Sequence, residues 1–356
     1  MEQHRKAADY DMSTEARTLL AQAAERFVHK QFCPHRLFRG GHAQTIAAYA
    51  WPRSYRFSSP ADEQRLFSVD SDTRVLAHCR WQPKANQHPT MLLWHGIEGS
   101  AASVYMVATA DKAFRAGFNV IRVNLRSCGG SEILGPTFYH GGLSGDLRAV
   151  IDELIQRDKL SQIFTVGYSL GGNMVLKLAA EYGEEAPVQV RAICAVSPSV
   201  NLQASADLIS KPSNWLYHRD FVRRLTRRVR NNHKLYPESY SLEKLSQVRT
   251  LRDFDEYYTA AVHGFAGADD YYLKSSSIHL IDRVRIPTLI VHAQDDPFIP
   301  FAPLLSPALK ANPYILLLDP ERGGHVAFIS ADHNGEDRFW AENRVVEFCG
   351  LAAETF

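Results

Sequence analysis

Short apolar runs alternate with helical patterns along most of the chain from about residue 65. The apolar runs read TMLLWHG, NVIRVNLR, IFTVGY and RAICAVSP, and RIPTLIVHA and YILLLDP follow near the C-terminus. Runs that are apolar on both faces are typical of strands in a parallel sheet that is covered on both sides. The segments between them, such as LSGDLRAVIDELIQRD, repeat apolar residues at the spacing of one helix face. This alternation predicts an α/β fold with a mostly parallel sheet, helices on both faces and right-handed crossovers.

The alternation stops between about residues 200 and 280, where the chain is polar, rich in Arg and Tyr, and mostly helical in its periodicity. Because this stretch contains no strand runs of its own, we expect it to form a helical cap over the sheet rather than a second domain. Near the N-terminus, Ser13 to His29 places its apolar residues on one helix face. We therefore predict a helical arm over residues 1–34 and one domain over residues 35–356, with the cap inserted at about 200–280.

The composition argues against several classes of protein. The net charge is +1 and no nucleic-acid-binding module is recognisable, so nucleic acid is not an expected partner. The five cysteines form no Cys-x-x-Cys pair and there is no His-Glu-x-x-His, so we expect neither a disulfide framework nor a metal site. No apolar run reaches the roughly 18 residues of a membrane span, and the N-terminus has no signal-peptide core. We expect a cytoplasmic protein without a metal or organic cofactor, and no pattern specifies its oligomeric state.

One apolar run passes directly into a helical pattern through Gly167-Tyr168-Ser169-Leu170-Gly171. On a tight strand-to-helix turn, Gly-x-Ser-x-Gly supplies the small neighbours that the turn requires and lifts the serine hydroxyl above the sheet edge. The helix that follows points its positive end at the hydroxyl, which favours a developing oxyanion. An ordinary turn with a capping serine is the alternative, and it fits this strand–turn–helix context less well. The motif therefore predicts Ser169 as a nucleophile.

A serine nucleophile needs a histidine as its base, and in this arrangement the histidine follows the last strand. His325 lies in the expected loop, and Gly323 and Gly324 before it allow a sharp change of direction. His333 is the nearest rival, but no glycines precede it. We predict His325 as the general base.

The acid that orients this base is expected after the preceding strand, where the chain reads HAQDDPFIP. Enzymes of this class tend to read Gly-x-x-Asp-x-x-x-Pro at this place. Here Ala293 replaces the glycine, Asp296 stands three residues later, and Pro300 stands four residues after that. The register predicts Asp296 as the triad acid and Asp295 as a loop acid that closes an Asx-type turn.

Two backbone N–H groups are expected to hold the oxyanion of a tetrahedral intermediate. One belongs to the residue after the serine, which is Leu170, and the other to the loop after an early strand, here HGIEGS. Gly96 and Gly99 allow the backbone of that loop to approach a ligand. We predict Ile97 and Leu170 as the donors and expect the ring of His95 only to brace the loop.

Together with further stretches, these motifs resemble one family. FRGGHAQTI, HGIEGS, YHGGLSGDL, GYSLGGNMVLK, DFDEYYTAAVHGF, ADDYYLKSSS, PTLIVHAQDDPF and GGHVAF occur in order between about residues 35 and 330. They are similar to α/β-hydrolase family 4 (AB hydrolase family 4), the group of YheT-type, EMB8-like and ABHD1/2/3-like hydrolases. The resemblance implies an α/β-hydrolase fold and a serine esterase or lipase, with a triad that falls on Ser169, Asp296 and His325. Departures such as Arg126-Ser127-Cys128, where members tend to read Arg-Gly-Cys, do not touch the triad.

The expected reaction is cleavage of a carboxylic ester through an acyl-enzyme, on a small-molecule or lipid ester. Acyl transfer and thioester cleavage are alternatives on the same triad. The His-x4-Asp spacing that some relatives link to acyl transfer occurs only at His4 and Asp9. A catalytically silent lipid-binding or scaffold protein is the alternative from another class.

The predicted cap carries a basic stretch, YHRDFVRRLTRRVRNNHK, whose apolar residues recur every four positions. A solvated cap helix explains this pattern most simply. The alternative is peripheral contact with an anionic membrane surface, where lipid esters would be found.

Overall fold

The computed structural model of the chain describes residues 13–53, 62–331 and 335–356. Its centre is an eight-stranded sheet. The strands are β1 (Glu63–Ser68), β2 (Arg74–Arg80), β3 (Thr90–Trp94), β4 (Asn119–Val123), β5 (Ile163–Tyr168), β6 (Val190–Val196), β7 (Thr288–Val291) and β8 (Ile315–Leu318). They follow the order β1-β2-β4-β3-β5-β6-β7-β8.

The pairing of the strands confirms the predicted α/β fold with a mostly parallel sheet. From β4 to β8 every neighbouring pair is parallel, and β3, β4 and β5 are buried along their whole length. The antiparallel strands β1 and β2 were not recognised in the sequence. Strand β1 reads EQRLFS and buries only Phe67 at this edge of the sheet, so it has no continuous apolar run.

Twelve helices surround the sheet in the described part of the chain. They are α1 (Thr14–Val28), α2 (Gly41–Ala50), α3 (Val104–Arg115), α4 (Ser144–Gln156), α5 (Leu170–Tyr182), α6 (Leu202–Ile209), α7 (Trp215–Leu235), α8 (Leu251–Phe254), α9 (Ala260–His263), α10 (Ala268–Ser275), α11 (Pro307–Lys310) and α12 (Trp340–Thr355). Helix α12 packs against both α1 and α3, and α4 packs on α5. Within residues 13–53, 62–331 and 335–356, no helix is both long and apolar enough to cross a membrane.

The N-terminal helix α1 begins after Ser13, whose Oγ accepts a hydrogen bond from the Ala16 N–H at 3.2 Å. Leu19 and Ala23 are fully buried on the face that meets α12. The remainder of the predicted arm, residues 1–12, lies outside the described residues. After β7, Pro307 separates a short 3₁₀ turn, Ala302–Leu305, from α11, because proline has no N–H to continue a helix.

Helices α6 to α10 occupy the stretch for which a cap is predicted, and the structure has no strand between residues 200 and 280. Residues from these helices line one cavity together with Ile97 after β3, Ser169 after β5 and Ile299 after β7. The helices therefore lie over the carboxyl ends of the central strands, where loops of a parallel sheet converge.

Candidate active site

Ser169 is the single residue between β5 and α5, and it adopts a left-handed conformation with φ of 54°. This conformation is strained for a residue with a side chain. A Cβ on Gly167 would overlap the carbonyl oxygen of Gly171, and a Cβ on Gly171 would lie 2.6 Å from the carbonyl oxygen of His95. The two glycines of the motif are therefore required by the close approach of backbone on both sides of Ser169.

The structure brings together the three side chains predicted from the sequence, Ser169, Asp296 and His325. His325 Nε2 lies 3.0 Å from Ser169 Oγ, and His325 Nδ1 lies 2.8 Å from Asp296 Oδ2. The Asp296 side chain is fully buried and that of His325 is 12% exposed. The rival histidine, His333, and the His4–Asp9 spacing lie outside the described residues.

Asp296 is held by both of its carboxylate oxygens. Oδ2 faces His325, while Oδ1 accepts hydrogen bonds from the N–H groups of Phe298, at 2.8 Å, and Ile299, at 3.0 Å. Burial by itself would raise the pKa of Asp296, but attraction to His325 and these hydrogen bonds outweigh it and hold the pKa below its ordinary value. The carboxyl is therefore ionised at neutral pH and can only accept from His325.

Asp295 does not have the role that the sequence suggested. The Asx-type turn is closed by Asp296, through its bond to the Phe298 N–H two residues later, and not by Asp295. Asp295 Oδ1 instead accepts from the Gly324 N–H at 3.0 Å, directly before His325. Burial is the main cause that raises the pKa of Asp295. The two adjacent acids thus support the same histidine by different routes.

Helix α2, for which the sequence predicted no role, also supports the loop that carries His325. The His325 N–H donates to Thr45 Oγ1 at 2.9 Å. Gln44 accepts from the Ile329 N–H at 2.7 Å and donates to the Ile329 carbonyl at 3.0 Å. A Cβ on Gly41 would overlap the carbonyl oxygen of Asp295. The signal was present in FRGGHAQTI, which was recognised as a shared motif without a function.

The two amides predicted for the oxyanion lie beside Ser169. Ile97, Ser169 and Leu170 line the same cavity, and a Cβ on Gly96 would lie 2.9 Å from Ser169 Cβ. Among the described residues, neither the Ile97 nor the Leu170 N–H has a hydrogen-bond acceptor. Both amides are therefore free to donate to a ligand at Ser169, and the helix dipole of α5 points to the same place.

The ring of His95 braces the loop that carries Ile97. His95 Nε2 accepts from the Leu125 N–H at 3.0 Å, so its proton is on Nδ1, which donates to the Gly96 carbonyl at 2.8 Å. Burial lowers the pKa of His95 to about 4, so the ring is neutral and its tautomer is determined by these two partners.

A family model described as the alpha/beta hydrolase fold matches residues 89–332, more than half of the chain. The chain belongs to the α/β-hydrolase family. The resemblance to family 4 is confirmed by the relatives that this hydrolase matches. It is 31% identical over 320 residues to the putative esterase YheT of Escherichia coli K12, covering 89% of this chain and 92% of that protein.

Two further similarities describe the same group and fold. The hydrolase is 31% identical over 292 residues to a monoacylglycerol lipase of Saccharomyces cerevisiae, covering 78% of this chain but only 64% of the lipase. Its fold is similar to that of the esterase Pf2001 of Pyrococcus furiosus, with a TM-score of 0.53, 16% identity, and coverage of 83% and 97% of the two chains. The fold predicted from the sequence is thus the fold observed.

A buried ion pair ties helix α7 of this hydrolase to the loop after β3, which carries Ile97. Arg228 of α7 donates from Nε to Glu98 Oε1 at 2.7 Å and from a terminal nitrogen to the Ser127 carbonyl. Tyr139 also donates to Glu98 Oε1, at 3.0 Å, and accepts from the Glu98 N–H at 2.7 Å. Arg228 was counted with the solvated face of a basic helix, but its side chain is only 10% exposed. It therefore links α7 to Glu98, the residue next to Ile97.

The cavity in front of Ser169 is mostly apolar, and helices α6, α7 and α8 contribute much of its lining. The apolar side chains from these helices are Leu202, Ala206, Ile209, Leu225, Leu251 and Phe254. Such a cavity suits a hydrocarbon chain next to the serine. In the part of the chain that the structure describes, no cluster of His, Cys, Asp or Glu could hold a metal ion.

Proposed function

We propose that this α/β hydrolase is a serine esterase that cleaves carboxylic esters through an acyl-enzyme intermediate, with Ser169, Asp296 and His325 as its triad. The observation that carries the proposal is the unbroken path from Asp296 Oδ2 through the His325 ring to Ser169 Oγ, with distances of 2.8 and 3.0 Å. Both are hydrogen-bond distances, which a general base needs on each side.

In the proposed reaction, Ser169 Oγ attacks the carbonyl carbon of the ester while His325 Nε2 accepts the hydroxyl proton. Asp296 remains ionised and stabilises the imidazolium through Nδ1. The oxygen of the tetrahedral intermediate accepts from the Ile97 and Leu170 N–H groups. Collapse of the intermediate breaks the ester C–O bond, and His325 returns the proton to the leaving alcohol. Water then attacks the acyl-enzyme with His325 again as base, which releases the acid and restores Ser169.

The apolar cavity supports a small-molecule or lipid ester as the substrate. The relatives named as a putative esterase and a monoacylglycerol lipase support the same class of reaction. No observation favours acyl transfer or thioester cleavage over hydrolysis of an oxygen ester.

Peripheral contact of α7 with an anionic membrane surface stays a prediction. Arg219, Arg227 and Arg230 are exposed on this helix and could face such a surface. Arg223 and Arg224, also exposed, pair with Asp220 at 2.7 Å, which reduces the positive charge that they offer.

The test is turnover of p-nitrophenyl esters of graded acyl length by the wild type and by Ser169→Ala. We expect the variant to lose at least about 10³-fold in kcat. A fluorophosphonate probe should label the wild type at Ser169 and fail to label the variant. A wild type that is folded, hydrolyses no ester and is not labelled would refute the proposal and favour the silent-scaffold alternative.

A further inference from the structure

A carboxylate that the proposed reaction does not use lines the cavity of Ser169. Asp255 begins a π-helical segment, Asp255–Thr259, between α8 and α9. Such segments are rare and occur often at functional sites, because the wider turn redirects side chains. Asp255 is only partly buried, since one face of it remains accessible on the cavity.

Two hydroxyl groups orient this carboxylate. Thr259 donates to Asp255 Oδ1 and Tyr272 donates to Asp255 Oδ2, both at 2.7 Å. A carboxylate has about four acceptor positions, so these two bonds leave acceptor capacity on the cavity side. Arg252 on the same helical stretch forms its ion pair with Asp269 at 2.7 Å, and its attraction to Asp255 lowers the pKa of Asp255 less than the two hydroxyls do. The acid is thus an oriented acceptor in an apolar wall.

Because the lining of the cavity is apolar, ionisation of the Asp255 carboxyl is energetically unfavourable. Burial raises the pKa of Asp255 to about 6, although the Thr259 and Tyr272 hydroxyls act in the opposite direction. Asp255 is therefore mostly ionised at neutral pH. A charged acceptor in such a wall is stabilised by any ligand that donates to it.

A second polar group of the cavity, His140, is a hydrogen-bond donor, whereas Asp255 is an acceptor. His140 is 7% exposed and its Nδ1 accepts from the Gly142 N–H at 3.1 Å. Burial holds the pKa of His140 well below its ordinary value, so the ring is neutral and carries its proton on Nε2. Among residues 13–53, 62–331 and 335–356, no acceptor bonds to this Nε2–H. His140 also lines the cavity, so the wall offers both an acceptor and a neutral donor.

We propose that Asp255 and His140 form a polar subsite that binds hydroxyl groups of the substrate, so that the preferred substrates are esters that carry a hydroxyl. A hydroxyl can donate to Asp255 and can accept from His140. An ammonium group could satisfy only Asp255, and a second carboxylate could satisfy only His140. This proposal rests on the proposed esterase function and adds the substrate class to it.

The first test compares isosteric ester pairs with the wild-type protein. One series pairs p-nitrophenyl ω-hydroxyalkanoates of graded length with the alkanoates that have a methyl in place of the hydroxyl. Another pair, hydroxyethyl octanoate and propyl octanoate, places the hydroxyl on the alcohol side. We expect one series to favour the hydroxyl member by about 10- to 100-fold in kcat/KM, the range for a hydrogen bond to a charged group. Ratios near one throughout would overturn the subsite.

The second test removes the negative charge of Asp255. Asp255→Asn should bring the hydroxyl preference down by about 10-fold or more, because the strong acceptor is lost. The matched control is Asp253→Asn, two residues earlier, whose carboxylate caps α8 and does not line the cavity. It should keep the wild-type preference. An unchanged preference in Asp255→Asn that still reacts with fluorophosphonate would refute the assignment, as would a stronger preference of the wild type for ω-ammonium esters.

Failure of the subsite is distinguishable from failure of the esterase proposal. If the wild type hydrolyses plain and hydroxyl-bearing esters equally, only the subsite is refuted. If it hydrolyses no ester, the esterase proposal fails, and the subsite is then tested by calorimetric binding of octanediol and nonanol to Ser169→Ala. Tighter binding of the diol would support the subsite, and equal binding would refute it.

Discussion

Asp295 accepts a hydrogen bond from the Gly324 N–H at 3.0 Å, so the acid next to Asp296 holds the loop that carries His325. Asp296 contacts the same histidine directly through Nδ1. Two neighbouring residues on one turn therefore support one base, one through its backbone and one through its ring.

Replacing each acid by its amide should separate these roles. Asp296→Asn is expected to lower kcat by about 10⁴-fold, because an amide no longer selects the proper His325 tautomer or stabilises its charged form. Asp295→Asn should cost about 10-fold or less, because the asparagine oxygen can still accept from Gly324. Steady-state kinetics on one ester measure both effects. If Asp295→Asn lowered kcat more than Asp296→Asn, the assignment of Asp296 as the orienting acid would be wrong.

Thr45→Val should lower kcat by about 10-fold and leave KM nearly unchanged. The variant keeps the size of the side chain but leaves the His325 N–H without its acceptor, which misplaces the ring. Thr18→Val in α1 is the matched control, since Thr18 donates to the Thr14 carbonyl on an exposed helix face. Equal kcat values for wild type and Thr45→Val would exclude a positioning role for α2.

Arg228→Met should both destabilise the protein and impair catalysis. Removal of one partner leaves Glu98 buried without its cation, which costs about 3–5 kcal/mol. The double variant Glu98→Gln/Arg228→Met should recover part of this stability in denaturant unfolding while kcat stays low, because the oxyanion loop is no longer tied to α7. Arg227→Met, on the exposed neighbour, should change neither property. Full recovery of kcat in the double variant would contradict a link between the cap and Ile97.

Asp255→Asn should stabilise the protein above about pH 6 and not at pH 4. The pKa of Asp255 is raised in the folded state from 3.8 to about 6, so the folded protein binds this proton more tightly than the unfolded chain. This favourable contribution is complete at low pH and is lost as the pH rises through about 6, where the charge opposes folding by up to about 3 kcal/mol. Thermal unfolding at several pH values should therefore give a variant Tm that exceeds the wild-type Tm only at the higher pH.

The opposite sign is expected for Asp253→Asn. Its carboxylate accepts from the Thr250 N–H at 2.8 Å at the start of α8, where a negative charge stabilises a helix. This variant should lower the Tm at pH 8. If Asp255→Asn raised the Tm by the same amount at every pH, the gain would not come from the raised pKa of Asp255.

Much of the site could be predicted because its signals are local or ordered along the chain. The turn at Ser169 requires small residues at Gly167 and Gly171, and that requirement is visible in five consecutive letters. The order of serine, acid and histidine follows from the order of parallel strands, whose carboxyl ends converge on one edge. The structure places His325 within hydrogen-bond reach of both Ser169 and Asp296 at that edge.

The errors and omissions concern residues whose partners are distant in sequence. Asp295 was interpreted as a turn residue because its partner, Gly324, lies 29 positions away. Strand β1 was missed because it lies at the edge of the sheet and buries only one residue, so it needs no apolar run. Arg228 was assigned to solvent because a helix that is basic on several faces does not reveal which arginine finds a buried acid.

By itself, the sequence determined the alternation of strands and helices, the strained serine turn and the candidate triad, since backbone sterics and hydrophobic periodicity act over a few residues. Only the tertiary structure decided that Thr45 holds His325, that Arg228 reaches Glu98 and that Asp255 faces the cavity. These pairings join positions separated by 280 and 130 residues, and a buried polar group acquires its partner only when the whole chain has folded around it.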